Sequence, residues 1–185
     1  MIDRRTLLEA LVGIVFAPAA LARAQAPAAR TPVDPALERA LASSPYVYVS
    51  PLRSDGAEST CHGEVWFGWI DGSVVVITAA TSWKTRSLAR GLTRVRLWVG
   101  DHGRWKQLMG RNEAFRSGPS CVARAALIRD DTFVDNLLAV YEKKYPTEIG
   151  GWRGPMRAGA RDGRRVLIRY VPEAPAAGGA GAART

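Results

Sequence analysis

Cysteine and histidine are scarce in this chain of 185 residues, which contains two of each. Cys61 and Cys121 do not lie in a Cys-x-x-Cys pattern, and only His62 and His102 could add imidazole ligands. A structural zinc site needs four such ligands at characteristic spacing, so the sequence predicts no metal centre. An oxidising compartment would allow the two thiols to pair. Both a disulfide and two buried free thiols are consistent with the sequence.

Long apolar runs and internal repeats are also missing. Beyond the N-terminal segment there is no run of about 18 apolar residues, which excludes a membrane span in the mature protein. A hydrophobic content of 47% supports one buried core and hence one domain.

The net charge of +9 favours phosphates, anionic surfaces or acidic small molecules as partners. The arginines are scattered through predicted strands and turns, so nucleic acid is not predicted as a partner.

Residues 1–26 have the pattern of a signal peptide. Arg4 and Arg5 precede two leucines, an apolar run over 10–22 and small residues that suit cleavage. Paired arginines in this position are typical of the twin-arginine route, which exports folded proteins that often carry a cofactor. We therefore expect an exported, periplasmic protein. A general secretory signal and an uncleaved N-terminal anchor are the alternatives.

Composition divides the rest of the chain into three parts. Residues 27–35 form an Ala/Pro-rich linker, and residues 173–185 form an Ala/Gly-rich tail predicted to be disordered. The folded domain is expected over 36–172. Removing 1–26 would take away three arginines and two acidic residues, so the domain itself is basic.

Strands dominate the predicted domain, because β-branched and aromatic residues recur in short runs between turn residues. The Asp71-Gly72 pair lies between two apolar runs and is a strong hairpin signal. The predicted strands are Tyr46–Leu52, Cys61–Ile70, Val74–Thr78, Arg94–Val99, Arg104–Leu108, Cys121–Ile128 and Arg165–Val171.

Three helices are predicted between these strands. One lies near Ala36–Ala42, and a second runs over Trp83–Arg90 with Ser82 as its cap. The third begins after Asp130 and places one apolar row at helical spacing, which indicates core packing rather than a cofactor contact. That row consists of Phe133, Val134, Leu137, Leu138 and Tyr141.

A candidate anion site lies at the start of the second helix. Thr78 ends a buried strand, Ser82 caps the helix, and Lys84 and Arg86 follow within its first turns. Backbone N–H groups at a helix start, a hydroxyl and a nearby cation together suit a phosphate. The alternative is a capped surface helix with solvated Lys84 and Arg86.

The order of these motifs resembles a known superfamily. The motifs are Asp55-Gly56, Val65-Trp66-Phe67, Asp71-Gly72, Thr78, the segment Ser82–Leu88, Val95-Arg96-Leu97 and Lys143-Lys144-Tyr145-Pro146. Over roughly residues 44–171 they are similar to the pyridoxamine 5'-phosphate oxidase-like, FMN-binding split β-barrels. The resemblance implies a mostly β fold, a split barrel of about six to seven antiparallel strands with two to three helices.

The resemblance also implies a cofactor site. Thr78, Ser82, Lys84 and Arg86 would contact the cofactor phosphate, and Trp66 would line the ring system, unless Trp66 is a core residue of the barrel. FMN is the expected cofactor, with deazaflavin or haem as alternatives. The segment Cys61-His62-Gly63-Glu64 occupies the region of the oxidase's arginine-rich phosphate strand. Pyridoxamine phosphate is therefore not expected as the substrate.

The implied function is a flavin- or deazaflavin-dependent oxidoreductase acting on a small molecule. In such proteins the flavin carries the hydride, and the protein supplies binding, orientation and electrostatics, so no residue is assigned as catalytic. The resemblance further implies a homodimer with cofactor sites at the subunit interface. The alternatives are a non-catalytic or haem-binding split barrel and a domain that binds an anionic ligand.

Overall fold

The computed structural model describes residues 33–103, 106–107 and 110–174. The predicted signal peptide, most of the linker and the tail from residue 175 onward lie outside the described residues. None of the helices in the described part is long and apolar enough to cross a membrane.

Seven antiparallel strands form one sheet that curls into a split β-barrel. Their order across the sheet is β2-β1-β5-β8-β9-β4-β3, and β6 and β7 pair separately as a small hairpin. The strands are β1 (Val47–Pro51), β2 (Gly63–Val65), β3 (Gly68–Ile70), β4 (Ser73–Ala79), β5 (Arg94–Val99), β6 (Lys106–Gln107), β7 (Gly110–Arg111), β8 (Ser120–Ile128) and β9 (Arg165–Pro172). The predicted fold class is confirmed.

The Asp71-Gly72 hairpin is confirmed in detail. It joins β3 to β4, with Ile70 opposite Ser73. Asp71 has φ of 49° and Gly72 has φ of 69°, so both turn residues are left-handed. A two-residue loop of this kind matches the twist of the flanking strands, and only Gly, Asn and Asp adopt it readily.

The prediction of one continuous strand over Cys61–Ile70 was wrong. The segment forms two strands, and β2 pairs with β1 whereas β3 pairs with β4. Between them, the N–H of Phe67 donates to the hydroxyl of Tyr145 at 3.0 Å, and the hydroxyl of Tyr141 donates to the carbonyl of Trp66 at 2.9 Å. Side chains of a helix thus take backbone bonds that a continuous strand would give to its neighbours.

The core has two layers because alternate strand residues point to opposite faces of the sheet. Inside the barrel lie Val49, Val76, Leu97, Ile168 and Tyr170, all of them buried. On the outer face, a second cluster joins the sheet to two helices, and includes Val75, Ile77, Leu137, Leu138, Tyr141 and Leu167.

The described residues form four α-helices: α1 (Pro35–Ser43), α2 (Trp83–Ala89), α3 (Asp131–Lys144) and α4 (Gly150–Arg161), besides a short 3₁₀ turn at Ala114–Ser117. Ser82 and Asp130 cap α2 and α3 as predicted. The apolar row of α3 is core, as expected: four of its five members are buried.

Helix α4 was not predicted. It contains four glycines and Pro155, and both residue types disfavour a helix. Tertiary packing stabilises it, since Met156 and Gly159 are buried. A Cβ at position 159 would lie 2.9 Å from Cγ of Arg165, so glycine allows the Arg165 side chain of β9 to lie against this helix.

Candidate functional site

The start of α2 is tied to the end of β4 by hydroxyl groups. The Ser82 hydroxyl oxygen accepts the N–H of Thr85 at 3.3 Å and lies 3.1 Å from the Thr85 hydroxyl. The Thr85 hydroxyl in turn donates to the carbonyl of Ala79 at 3.2 Å. The two hydroxyls therefore position the first turn of α2 at the end of β4.

Lys84 lies in that first turn and is half-buried. Its Nζ is 4.9 Å from the ring centroid of Trp83, and its side chain lines a cavity of about 10 Å³ beside Val49 and Tyr170. Burial lowers the pKa of Lys84, because a poorly solvated ammonium group is less stable. No ion pair within the described part of the chain involves Lys84. An anion placed here would compensate a charge that the fold leaves poorly solvated.

The aromatic ring next to Lys84 packs closely against the core and against β2. Trp83 packs against the interior core, and a Cβ at Gly63 of β2 would lie only 2.9 Å from its ring. Gly63 therefore permits the ring to approach β2 closely. The small cavity beside Lys84 leaves no room for a flavin ring, so a cofactor ring would lie outside it.

The other two predicted phosphate ligands have different surroundings. Thr78 is buried on β4, on the same side of the strand as the core residue Val76. Arg86 is exposed, and its guanidinium donates to the carbonyl of Thr81. Ser82 and Lys84 thus share the first turn of α2, whereas Arg86 is directed toward the loop before the helix.

Trp66 lies in a different part of the molecule. Its ring stacks on Tyr145 with a centroid distance of 4.6 Å and an interplanar angle of 11°, and it meets Tyr141 edge-on at 6.1 Å. It packs with the outer core cluster, whereas Trp83 packs with the interior one. Trp66 and Lys84 line separate cavities. The structure therefore does not bring Trp66 together with the residues of α2.

The cavity beside Trp66 is an open cleft of about 310 Å³ under α4. Trp152 of α4 contributes an aromatic side chain that is 51% exposed. The polar and aromatic lining residues are Tyr46, Glu64, Trp66, Tyr141, Trp152 and Arg165. Sequence reasoning missed this cleft because α4 was not predicted. A tryptophan within a glycine-rich stretch was the signal that the sequence offered.

A buried polar network lies on the outer face of β1. Ser50 and His62 are both buried, and the Ser50 hydroxyl is 2.5 Å from Nδ1 of His62. Arg116 lies 3.4 Å from the other ring nitrogen of His62 and 2.8 Å from the carboxylate of Glu58. Phe115 packs on the same histidine. His62 therefore has a structural environment rather than an open coordination position.

Both cysteines are free thiols in the structure, Cys61 exposed and Cys121 half-buried. Burial raises the pKa of Cys121 to about 11, so its thiol is protonated at neutral pH. Within the described ranges, no group of three or more His, Cys, Asp or Glu side chains is arranged to hold a metal ion.

Solved structures share this fold, although no protein-family model and no curated protein matches the sequence. A conserved hypothetical protein from Mycobacterium tuberculosis aligns with a TM-score of 0.52 and 20% identity, over 78% of this chain and 84% of that one. HutZ, the haem storage protein from Vibrio cholerae, has a TM-score of 0.49 and 16% identity over 77% and 91%. A FAD-binding protein from Mesorhizobium loti has 0.46 and 18% over 75% and 89%. The likeness to the Mycobacterium tuberculosis protein supports the fold of this chain.

Proposed function

We propose that this protein is a flavin- or deazaflavin-binding oxidoreductase that holds its cofactor phosphate at the first turn of α2. The observation that carries the proposal is Lys84, a half-buried cation with no acidic partner among the described residues. A buried charge is costly unless it is paired, so such a lysine suits an anionic ligand. A phosphate also accepts hydrogen bonds well, and the hydroxyls of Ser82 and Thr85 lie beside Lys84 on the same turn.

FMN is the favoured cofactor, because its phosphate would pair with the Lys84 ammonium. Its ring would lie on the open surface beyond the small cavity. A second copy of the chain would cover that ring, which agrees with the homodimer implied by the resemblance. The flavin would supply hydride transfer when bound. The residues of this chain would anchor the phosphate, orient the ring and exclude water from one of its faces. The substrate is a small molecule, and no side chain is assigned to the chemistry.

Haem binding is the second candidate, and the described histidines argue against it as the first choice. His62 is buried against Ser50 and Phe115. His102 packs against the ring of Tyr48, and a Cβ at Gly118 would lie 3.1 Å from its Nε2. Either histidine would have to leave these contacts in order to bind iron.

The site of action is proposed to be the periplasm, reached by the twin-arginine route. The support for this is the pattern of residues 1–26, which lie outside the described residues. Export in the folded state would allow the cofactor to be loaded in the cytoplasm.

The absorbance spectrum of protein purified after folding in its native host tests the proposed cofactor. We expect a flavin or deazaflavin spectrum, and titration of the cofactor-free protein with FMN should show saturable binding. A haem spectrum would favour the second candidate. Absence of any chromophore together with no binding of FMN would reject both and favour a domain that binds another anion.

A further inference from the structure

We infer that the cleft under α4 is a binding site for a small planar aromatic carboxylate, with the ring against Trp66 and Trp152 and the carboxylate on Arg165. This site is separate from the proposed phosphate site at α2, since the two cavities have no lining residue in common.

The size and lining of the cleft suit a small ligand. Its volume of about 310 Å³ falls at the lower end of the range for small-molecule pockets, which is roughly 300–1,000 Å³. Three of its lining residues are aromatic: Tyr46 directly precedes β1, Trp66 directly follows β2, and Tyr141 belongs to α3. Helix α4 adds Trp152 and Met156. A flat apolar ligand in the cleft would therefore contact aromatic side chains.

Trp66 and Trp152 differ in their ring contacts and in their exposure. Trp66 is fixed by its stacking on Tyr145 and by the edge of Tyr141, so it offers a rigid surface. Trp152 is 51% exposed, more than Leu127 and Val171, the other exposed large hydrophobic residues of the described part. Exposed aromatic surface beside an apolar cleft is a common sign of a ligand site. Covering the Trp152 ring would remove that surface from water.

Arg165 provides the charge. Its aliphatic part is held against Gly159 of α4, where a Cβ would be only 2.9 Å from Cγ of the arginine. No hydrogen bond or ion pair of its side chain occurs within the described residues. Arginine forms paired hydrogen bonds with a carboxylate in a fixed planar geometry. The cleft thus combines an aromatic surface with a guanidinium that has no ion pair among the described residues and whose aliphatic chain lies against α4.

Glu64 marks the end of the cleft away from Arg165. It lines the same cleft from β2, whereas Arg165 lies at the start of β9. These strands are not neighbours in the sheet. A ligand carboxylate is attracted by Arg165, so it would point toward β9, leaving the uncharged ring edge toward β2.

Calorimetric titration of the purified protein with 2-naphthoate tests the site. We expect saturable binding that Arg165→Gln weakens by about ten- to a hundredfold, the loss typical of a charged hydrogen-bonded pair. Arg165→Lys should retain part of the affinity, since it keeps the charge. Trp152→Ala should weaken binding by about two- to tenfold through loss of ring contact.

Arg164→Gln is the matched control, because Arg164 is the adjacent arginine, is exposed and pairs with Asp162. It should leave the affinity unchanged. The neutral analogue 2-naphthamide should bind wild type and Arg165→Gln equally. Thermal melting of each variant verifies that it is folded. Equal affinity of 2-naphthoate for wild type and folded Arg165→Gln, or no saturable binding to wild type, would overturn the inference without affecting the result of the FMN titration.

Discussion

The hydroxyl of Ser50 and Nδ1 of His62 lie 2.5 Å apart, and both residues are buried on the outer face of the sheet. Ser50 belongs to β1, whereas His62 directly precedes β2, so the contact joins the connection before β2 to the neighbouring strand. Arg116 and Glu58 lie around this pair and make it part of a buried polar network.

Replacing Ser50 by alanine should lower the free energy of unfolding by about 1–3 kcal/mol, because His62 would lose a hydrogen-bond partner in a buried position. Chemical denaturation followed by tryptophan fluorescence measures the change. Ser43→Ala is the control, since Ser43 is exposed at the end of α1 and its hydroxyl donates to the carbonyl of Arg39 in its own helix. A change in stability as small for Ser50→Ala as for Ser43→Ala would contradict the structural role of the pair.

Removing the charge of Lys84 should weaken binding of FMN by about ten- to a hundredfold. Lys84→Met is the preferred change, because methionine keeps an apolar chain against the interior core while removing the ammonium. Stability without ligand should not fall, since the ammonium is poorly solvated and has no acidic partner among the described residues. Arg90→Ala, at the exposed end of the same helix, should bind FMN as wild type does. Equal affinities for wild type and Lys84→Met would show that the phosphate is not held at α2.

Replacing both Arg4 and Arg5 by lysine should stop export if the N-terminal segment is a twin-arginine signal. The lysines keep the positive charge, so a general secretory signal should still function. Fractionation of cells into cytoplasm and periplasm measures the result, with cofactor content of the cytoplasmic protein as a second readout. Unchanged periplasmic yield would reject the twin-arginine route.

Lys144 should make stability depend on pH above neutrality. Burial lowers its pKa to about 8, whereas a lysine in the unfolded chain titrates near about 10.4. Between these values the unfolded state binds more protons, so the contribution of Lys144 to stability rises with pH over this window. The ammonium lies 3.3 Å from the ring centroid of Phe67, a contact that favours the charged form and limits the shift.

The change Lys144→Met tests this dependence by removing the buried charge. The variant should be more stable than wild type at pH 7, and the difference should shrink as the pH rises from about 8 toward 10.4. Lys143→Met, at the exposed neighbouring position, should differ little from wild type at any pH. A variant less stable than wild type at pH 7 would mean that the contact with Phe67 outweighs the cost of burial.

Local signals in the sequence were sufficient for several elements. Asp71-Gly72 specifies its own turn, because few residue pairs accept two consecutive left-handed conformations. Ser82 and Asp130 determine helix starts through hydrogen bonds to backbone groups two or three residues away. The proximity of Ser82 and Lys84 follows from the same local geometry, so that part of the candidate site was predictable.

Long-range contacts decided the remainder. The sequence by itself determined the strand alternation, the tight hairpin and the capped helices, since each depends on residues close together in the chain. Only the tertiary structure divided the segment 61–70 at Trp66, because the hydroxyls that bond its backbone come from Tyr141 of α3 and from Tyr145 just after it, more than seventy residues later. In the same way, α4 forms despite its glycines and Pro155 because packing against α3 and β9 outweighs its poor helix propensity, and that packing places Trp152 and Arg165 in one cleft.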